Sequence, residues 1–222
     1  MIRALHVIAG AALLKAGVPL EPVLRAAASQ PGRIALHLRA PELSAADLLE
    51  KTRALLGAPG LQVLVNDRVD VARVASAHGV QLGQGSLDAT AARRLLGTAA
   101  TIGASVHTAE EAAETRVADA DFLLVGSIFE TASHPERSGA GPELLRRISA
   151  LEARPLVAIG GISPERVAVL LDAGAAGVAV QTGIWGAADP EHAVAAYLRA
   201  LEDGTAGARG ALARRPNEPT NV

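Results

Sequence analysis

The sequence predicts a single (β/α)8 TIM barrel of the α/β class. Short apolar runs rich in branched residues alternate with longer alanine- and leucine-rich segments at helical spacing. The alternation repeats until eight strand candidates have each been followed by a helix candidate, and the series fits into about 200 residues, the compact end of the barrel range. The runs are continuously apolar, as expected of parallel strands covered by helices. An open doubly wound sheet shares the alternation, but eight regular repeats favour closure.

The strand candidates begin with residues 5–8 (LHVI), 34–38 (IALHL) and 61–65 (LQVLV). They continue with 79–82 (GVQL), 100–103 (ATIG) and 122–125 (FLLV), and close with 156–159 (LVAI) and 177–180 (GVAV). Helix starts carry their own signals. Thr108 followed by Glu111 is a capping box. Ser163-Pro164-Glu165 and Asp189-Pro190-Glu191 each set a cap residue, a first-turn proline and a carboxylate at the positive helix end. Gly141-Pro142-Glu143 reads similarly. The barrel is expected over residues 1–203. Residues 204–222, with several glycines and then Arg215-Pro216-Asn217-Glu218-Pro219, lack periodicity and are expected to form a flexible tail. Residues 131–141 make a long βα loop, expected to close over an occupied site.

Half of the 222 residues are hydrophobic and 20% are charged, with net charge -2. That composition builds a core and argues against disorder. A pI near 6.3 gives no basic footprint for nucleic acid. With no cysteine, disulfides, thiolate nucleophiles and cysteine zinc sites are excluded together. Aromatics are only 2%, so Ala, Val, Leu and Ile must fill the core. No run approaches the roughly 20 apolar residues of a membrane span, and the first residues do not read as a signal peptide. A cytoplasmic location is the expectation, with no membrane or nucleic-acid partner.

In such a barrel the active site lies where the βα loops leave the C-terminal strand ends. Those ends offer His37 and Arg39, then Asn66-Asp67-Arg68, then Gly83-Gln84-Gly85-Ser86. Ser105 and His107, Gly126-Ser127, Gly160-Gly161 and Gln181-Thr182-Gly183 follow. The glycines after strands 7 and 8 are the sharpest signal. Backbone N–H groups of Gly160, Gly161, Thr182 and Gly183 are expected to hold a phosphate, since no Cβ obstructs the glycines. Gly83-Gln84-Gly85 lacks the third glycine of a dinucleotide fingerprint. His6, His78 and His192 read as structural or solvated, whereas His37, His107 and His134 are placed at the mouth. No histidine pair has metal-ligand spacing.

Several segments together resemble the thiamin-phosphate synthase and TenI superfamily: residues 66–72 (NDRVDVA), 79–84 (GVQLGQ), 102–107 (IGASVH), 126–131 (GSIFET), 158–162 (AIGGI) and 173–180 (AGAAGVAV). The resemblance covers roughly residues 5 to 200 and independently implies the (β/α)8 fold. It implies one of two activities. The synthase branch joins a pyrimidine diphosphate to a thiazole phosphate, using magnesium and lysines. Its Gln-x-Arg-x-Lys motif falls on His37-Leu38-Arg39-Ala40-Pro41, keeping only the arginine. Asp67 matches its first magnesium aspartate, Ser86 stands at the second, and His134 stands at the lysine of its Thr-x-Thr-Lys loop. The TenI branch, thiazole tautomerase, moves a proton on a thiazole carboxylate phosphate without metal. Residues 79–82, 86–88 and 128–131 are more similar to that branch, although its histidine before Phe-Glu-Thr is Ser127 here.

The resemblance therefore implies a TenI-like isomerase of thiamin biosynthesis. The alternatives are a divergent thiamin-phosphate synthase and a non-catalytic thiazole-phosphate binder. The expected catalytic group is Ser127 with His107 and His134. Phosphate falls to Gly160, Gly161, Gln181, Thr182 and Gly183. The rest of the substrate falls to His37, Arg39, Asn66, Asp67, Ser105, Thr131 and Ser133. No metal or cofactor is expected for the isomerase, and magnesium only for the synthase. The partner is a small phosphorylated thiazole, and a homo-oligomer is compatible with the reading.

Overall fold

In a computed structural model of the chain, residues 2–17, 20–114, 117–131 and 139–213 are described. Eight parallel strands close into a barrel in chain order. They are β1 (Leu5–Gly10), β2 (Ile34–Arg39), β3 (Gln62–Asn66), β4 (Gly79–Leu82), β5 (Thr101–Val106), β6 (Phe122–Val125), β7 (Leu156–Ile159) and β8 (Ala175–Val180). Closure is made by β1 on β8, with Leu5 opposite Val178 and Val7 opposite Val180. Each strand matches an expected run, with ends that differ by up to three residues.

The outer layer starts with α1 (Ala11–Ala16), α2 (Glu21–Ser29), α3 (Ala45–Leu56), α4 (Val69–Ala75) and α5 (Ala89–Leu96). It continues with α6 (Ala109–Ala112), α7 (Pro142–Ser149), α8 (Val167–Asp172), α9 (Thr182–Trp185) and α10 (Pro190–Ala213). Two of the expected caps form through side chains, at Thr108 and Asp189, whereas Ser163 makes no side-chain cap bond. Thr108 Oγ1 accepts from the Glu111 N–H at 3.1 Å, and Asp189 Oδ1 accepts from the His192 N–H at 3.0 Å. Pro142 opens α7 behind Gly141, whose φ of 71° suits glycine. Ser163 precedes a 3-10 turn, Pro164–Arg166, that leads into α8.

The last helix departs from expectation, running past Gly204 to Ala213. It packs on α8 and α2, and its alanine-rich continuation keeps helical propensity. A glycine in such a helix costs about 1 kcal/mol relative to alanine, which weakens it without stopping it. Residues 214–222 lie outside the described residues. Among the described residues no helix is long and apolar enough to cross a membrane.

Strand alternation divides the core in two. One set of side chains fills the space between sheet and helices. The other, including Ile8, Ala35, Leu64, Phe122, Leu124, Val157 and Ala179, fills the barrel itself. Phe122 is accommodated by a glycine on the neighbouring strand: a Cβ on Gly103 would lie 2.2 Å from the Phe122 ring and 2.2 Å from Gln81 Oε1. Among these aliphatic layers His6, His37 and Gln81 are also buried. The barrel interior is therefore partly polar, and its polar column points toward the strand C-termini.

Candidate active site

The glycine turn after β7 is built as the anion reading requires. Gly160 has φ 104° and Gly161 φ 59°, conformations that favour glycine. Gly160 also packs where a side chain could not, since a Cβ there would lie 2.7 Å from Ser127 Cβ and 2.8 Å from Ser127 Cα. Ser127 is thus brought directly against the cradle. The carbonyl side of the turn is occupied: Gly160 O accepts from the Phe129 N–H, and Gly161 O accepts from Arg166 Nη1 at 2.6 Å. The Arg166 guanidinium lies 4.4 Å from the centroid of the Phe129 ring. Among the described residues the N–H groups of Gly160, Gly161, Thr182 and Gly183 have no backbone acceptor. They are not capped by carbonyls.

Across the mouth a cavity of about 620 Å³ opens between the ends of β1, β2 and β8. Leu13, Arg39, Glu42, Gln181, Thr182 and Trp185 line it. The volume is that of a small-molecule site. The Trp185 ring is fixed by donation from Nε1 to Ile8 O at 2.7 Å. Arg39, the exposed last residue of β2, brings a guanidinium to the wall. Thr182 belongs to both the cavity and the cradle, so the two are continuous.

After β3, Asp67 is an exposed carboxylate with φ 64°. Its Oδ1 accepts from the Gly83 N–H at 2.9 Å and from the Ser86 hydroxyl; Ser86 Oγ in turn accepts from Gly83 N–H at 3.0 Å. Ser86, which stands at the second aspartate of the family pattern, therefore touches the first, Asp67. Arg68 turns away and pairs with Asp70, which lowers the Asp70 pKa through the hydrogen bond. Among the described residues no group of three His, Asp or Glu side chains is arranged to hold a metal ion.

Two expected site residues, His37 and His107, stand differently. His37 is not at the mouth: β2 continues to Arg39, which leaves His37 fully buried inside the barrel, hydrogen-bonded to His6 at 2.8 Å. Burial lowers its pKa from 6.5 to about 4, against a smaller opposing influence of Asn66. His6 is also held well below the usual imidazole range, by burial and then by the neighbouring His37. His107 reaches the mouth, half-exposed, but is tied into its own loop. Its N–H donates to Glu111 Oε2 at 2.7 Å, and its Nδ1 lies 3.7 Å from the same oxygen. Ser133 and His134 lie outside the described residues, as does most of the loop expected to close. Thr131 stands at its start, half-buried.

Ser105 and Asn66 are at the inner rim as expected. Ser105 Oγ accepts from Gln81 Nε2 at 3.0 Å. Gln81 itself, Leu13 and Trp185 were not anticipated. A polar residue inside the apolar run 79–82 was the available signal for Gln81. The cavity residues come from helix starts, where no pattern marks them.

A closed parallel barrel with uncapped main-chain N–H groups after β7 and β8 and a polar mouth has the layout in which (β/α)8 barrels often hold phosphate. Residues 6–184 match the family model described as "Thiamine monophosphate synthase" (TMP-TENI), and the chain belongs to that family. It is 42% identical over 201 residues to a thiamine-phosphate synthase of Moorella thermoacetica, covering 89% of this chain and 93% of the relative. It is 47% identical over 140 residues to the bifunctional protein ThiM/ThiE of Symbiobacterium thermophilum, matching 63% of this chain but only 29% of that longer protein. Among solved structures, thiamine phosphate pyrophosphorylase from Pyrococcus furiosus superposes with a TM-score of 0.75 at 31% identity, over 90% of this chain and 96% of the other. These relatives shift the balance from the expected isomerase to the synthase alternative.

Proposed function

We propose that the chain is a thiamine-phosphate synthase, a transferase that joins a pyrimidine diphosphate to a thiazole phosphate and releases diphosphate. One observation carries this reading beyond the family: the mouth has two chemically distinct halves that meet. The cradle of Gly160, Gly161, Thr182 and Gly183 suits a phosphate monoester. The cavity beside it, with Arg39 at its wall, suits a second, anionic ligand. A main-chain cradle and a cavity that share Thr182 suit a two-substrate reaction. A tautomerase needs a base at the ring instead. Ser127 has no pKa near neutrality, and among the described residues no hydrogen bond joins it to a histidine.

Diphosphate release requires positive charge at the leaving group. Arg39 provides a permanent share of it. Magnesium, when bound, supplies the rest by neutralising diphosphate oxygens. Magnesium is commonly held by one or two carboxylates together with waters and substrate phosphates. Asp67 fits that pattern, because the bonds of its carboxylate to Gly83 and Ser86 both fall on Oδ1. Asp67 would hold the ion, with the Ser86 hydroxyl alongside as a neutral oxygen.

The test is product formation by the full chain from the two substrates, with magnesium and with chelator. Thiamine phosphate should form only with magnesium, and Asp67→Asn should lower turnover by about 10²-fold, the scale for loss of one electrostatic group. Binding of both substrates without product would overturn the reading in favour of a non-catalytic binder. Turnover of a thiazole carboxylate phosphate alone would restore the isomerase.

A further inference from the structure

The buried histidine pair has no part in the proposed chemistry, yet its proton count constrains a residue at the mouth. Starting at the closed end of the barrel, His6 Nε2 lies 3.1 Å from Arg3 O. A carbonyl only accepts, so His6 carries its proton on Nε2. Both rings are held neutral by burial, and each neutral imidazole has one N–H. His6 Nδ1 is then an acceptor, and the 2.8 Å contact to His37 Nε2 places the His37 proton on Nε2. His37 Nδ1 is left with a lone pair.

Asn66 stands beside His37: Leu64 pairs with His37 in the register of β2 on β3, and Asn66, two residues further along β3, shares the inward face with Leu64. Yet His37 Nδ1 and Asn66 Oδ1 are both buried with no partner among the described residues. With the amide oxygen toward His37, two acceptors face one another, and no bond forms. With the amide nitrogen toward His37, both orphans are resolved: the NH2 donates to Nδ1, and the carbonyl turns to the mouth. The alternative, a proton on His37 Nδ1 with the oxygen inward, needs a third proton on two rings. That would bury a charge beside Arg3, already an unfavourable neighbour of His6, and no carboxylate acts on either ring.

We infer that His37 is a positioning residue for Asn66, directing the amide carbonyl rather than its NH2 toward the ligand. The order runs from Arg3 O through His6 and His37 to Asn66. The mouth then presents an acceptor at Asn66, which suits an amino group on a heterocycle and does not suit an anion. This assignment of ligand chemistry rests on the synthase reading, because the pyrimidine half of thiamine carries an amino group. The proton order itself does not.

Two measurements on the full chain separate these claims. Nitrogen-15 NMR of the histidine rings at pH 7 should show His6 and His37 as neutral Nε2–H tautomers, with His37 Nδ1 shifted as a hydrogen-bond acceptor. A His37 protonated on Nδ1 overturns the inference. Binding is then compared for an aminopyrimidine diphosphate and for inorganic diphosphate. His37→Leu removes the acceptor for the Asn66 NH2, and should weaken the aminopyrimidine ligand about tenfold, the loss of one hydrogen bond of about 1.4 kcal/mol. His37→Gln can donate to His6 and accept from Asn66, and should recover most of that affinity. Inorganic diphosphate should bind both variants like the parent. An equal loss for inorganic diphosphate would mean that Asn66 offers its NH2 to the anion, and would overturn the inference. If the parent chain shows the expected tautomers but binds no aminopyrimidine diphosphate, the synthase reading fails while the proton order stands.

Discussion

Replacing Gly160 by alanine should cost both stability and phosphate affinity, and the structure supplies the size of the first loss. Gly160 sits at φ 104°, a region in which a non-glycine residue is strained by about 1–3 kcal/mol. The added Cβ would also lie 2.7 Å from Ser127 Cβ and 3.0 Å from the Ile128 nitrogen. Most of that contact is with backbone, which cannot rotate away, so overpacking adds about 1–3 kcal/mol. The sum, about 2–6 kcal/mol, is a large part of the roughly 5–15 kcal/mol that stabilises a typical domain. Urea unfolding with linear extrapolation measures it. Calorimetric titration with thiazole phosphate should show at least a tenfold loss of affinity, because relief of the clash moves the N–H groups of the cradle. Gly85→Ala is the control: nothing lies within 4 Å of its Cβ position, so its effect should stay within about 0.5 kcal/mol. A Gly160→Ala loss below about 1 kcal/mol with unchanged affinity would refute the cradle as described.

Stability should fall as pH drops from 6.5 toward 4. His37 has a folded pKa of about 4 against 6.5 for the free group, so in that window the unfolded chain binds more protons and acid favours it. The contribution present above pH 6.5 is about 3 kcal/mol, and His37→Gln should flatten the pH dependence of urea melts. Trp185, the chain's single tryptophan, lines the cavity, so a ligand entering there should change the intrinsic emission. No change at saturating pyrimidine diphosphate would place that ligand elsewhere. Inorganic phosphate should shift the amide resonances of Gly160, Gly161, Thr182 and Gly183 ahead of others; shifts confined to lysine or arginine side chains would exclude a main-chain site.

The strands were legible because burial on both faces leaves continuous apolar runs with no alternation to misread. Their ends were less so. β1 continues through Ala9 and Gly10, which pair with Leu38 and Arg39, and small residues carry little strand signal. β2, paired with β1, likewise continues one residue further, to Arg39, and this explains the one misplaced histidine. His37 and Arg39 do share a side, as spacing of two requires, but strand length decides which of them stands at the rim. The turn after β7 was legible from glycines alone, because positive φ and close approach leave few other residues possible. The branch of the family was harder to read. His37, Ser86 and His134 each depart from a synthase motif, and a reading from those positions leans toward the isomerase even though Ser127 departs from that branch. Similarity to synthases accumulates over the whole scaffold, where single site positions weigh little.

In the proposed cradle the donors are peptide groups, so no side-chain substitution can delete them; only a change that bends the turn can. The opposite wall has no such protection: Arg39, Asp67 and Ser86 act through side chains, and a single codon can alter each. The two ends of the mouth are therefore exposed to mutation unequally. One end keeps a constant handle for a phosphate, and the other is free to change what is done to the molecule attached to it. On the proposed reading, a lineage built on this barrel can exchange reactions while its grip on phosphate stays the same.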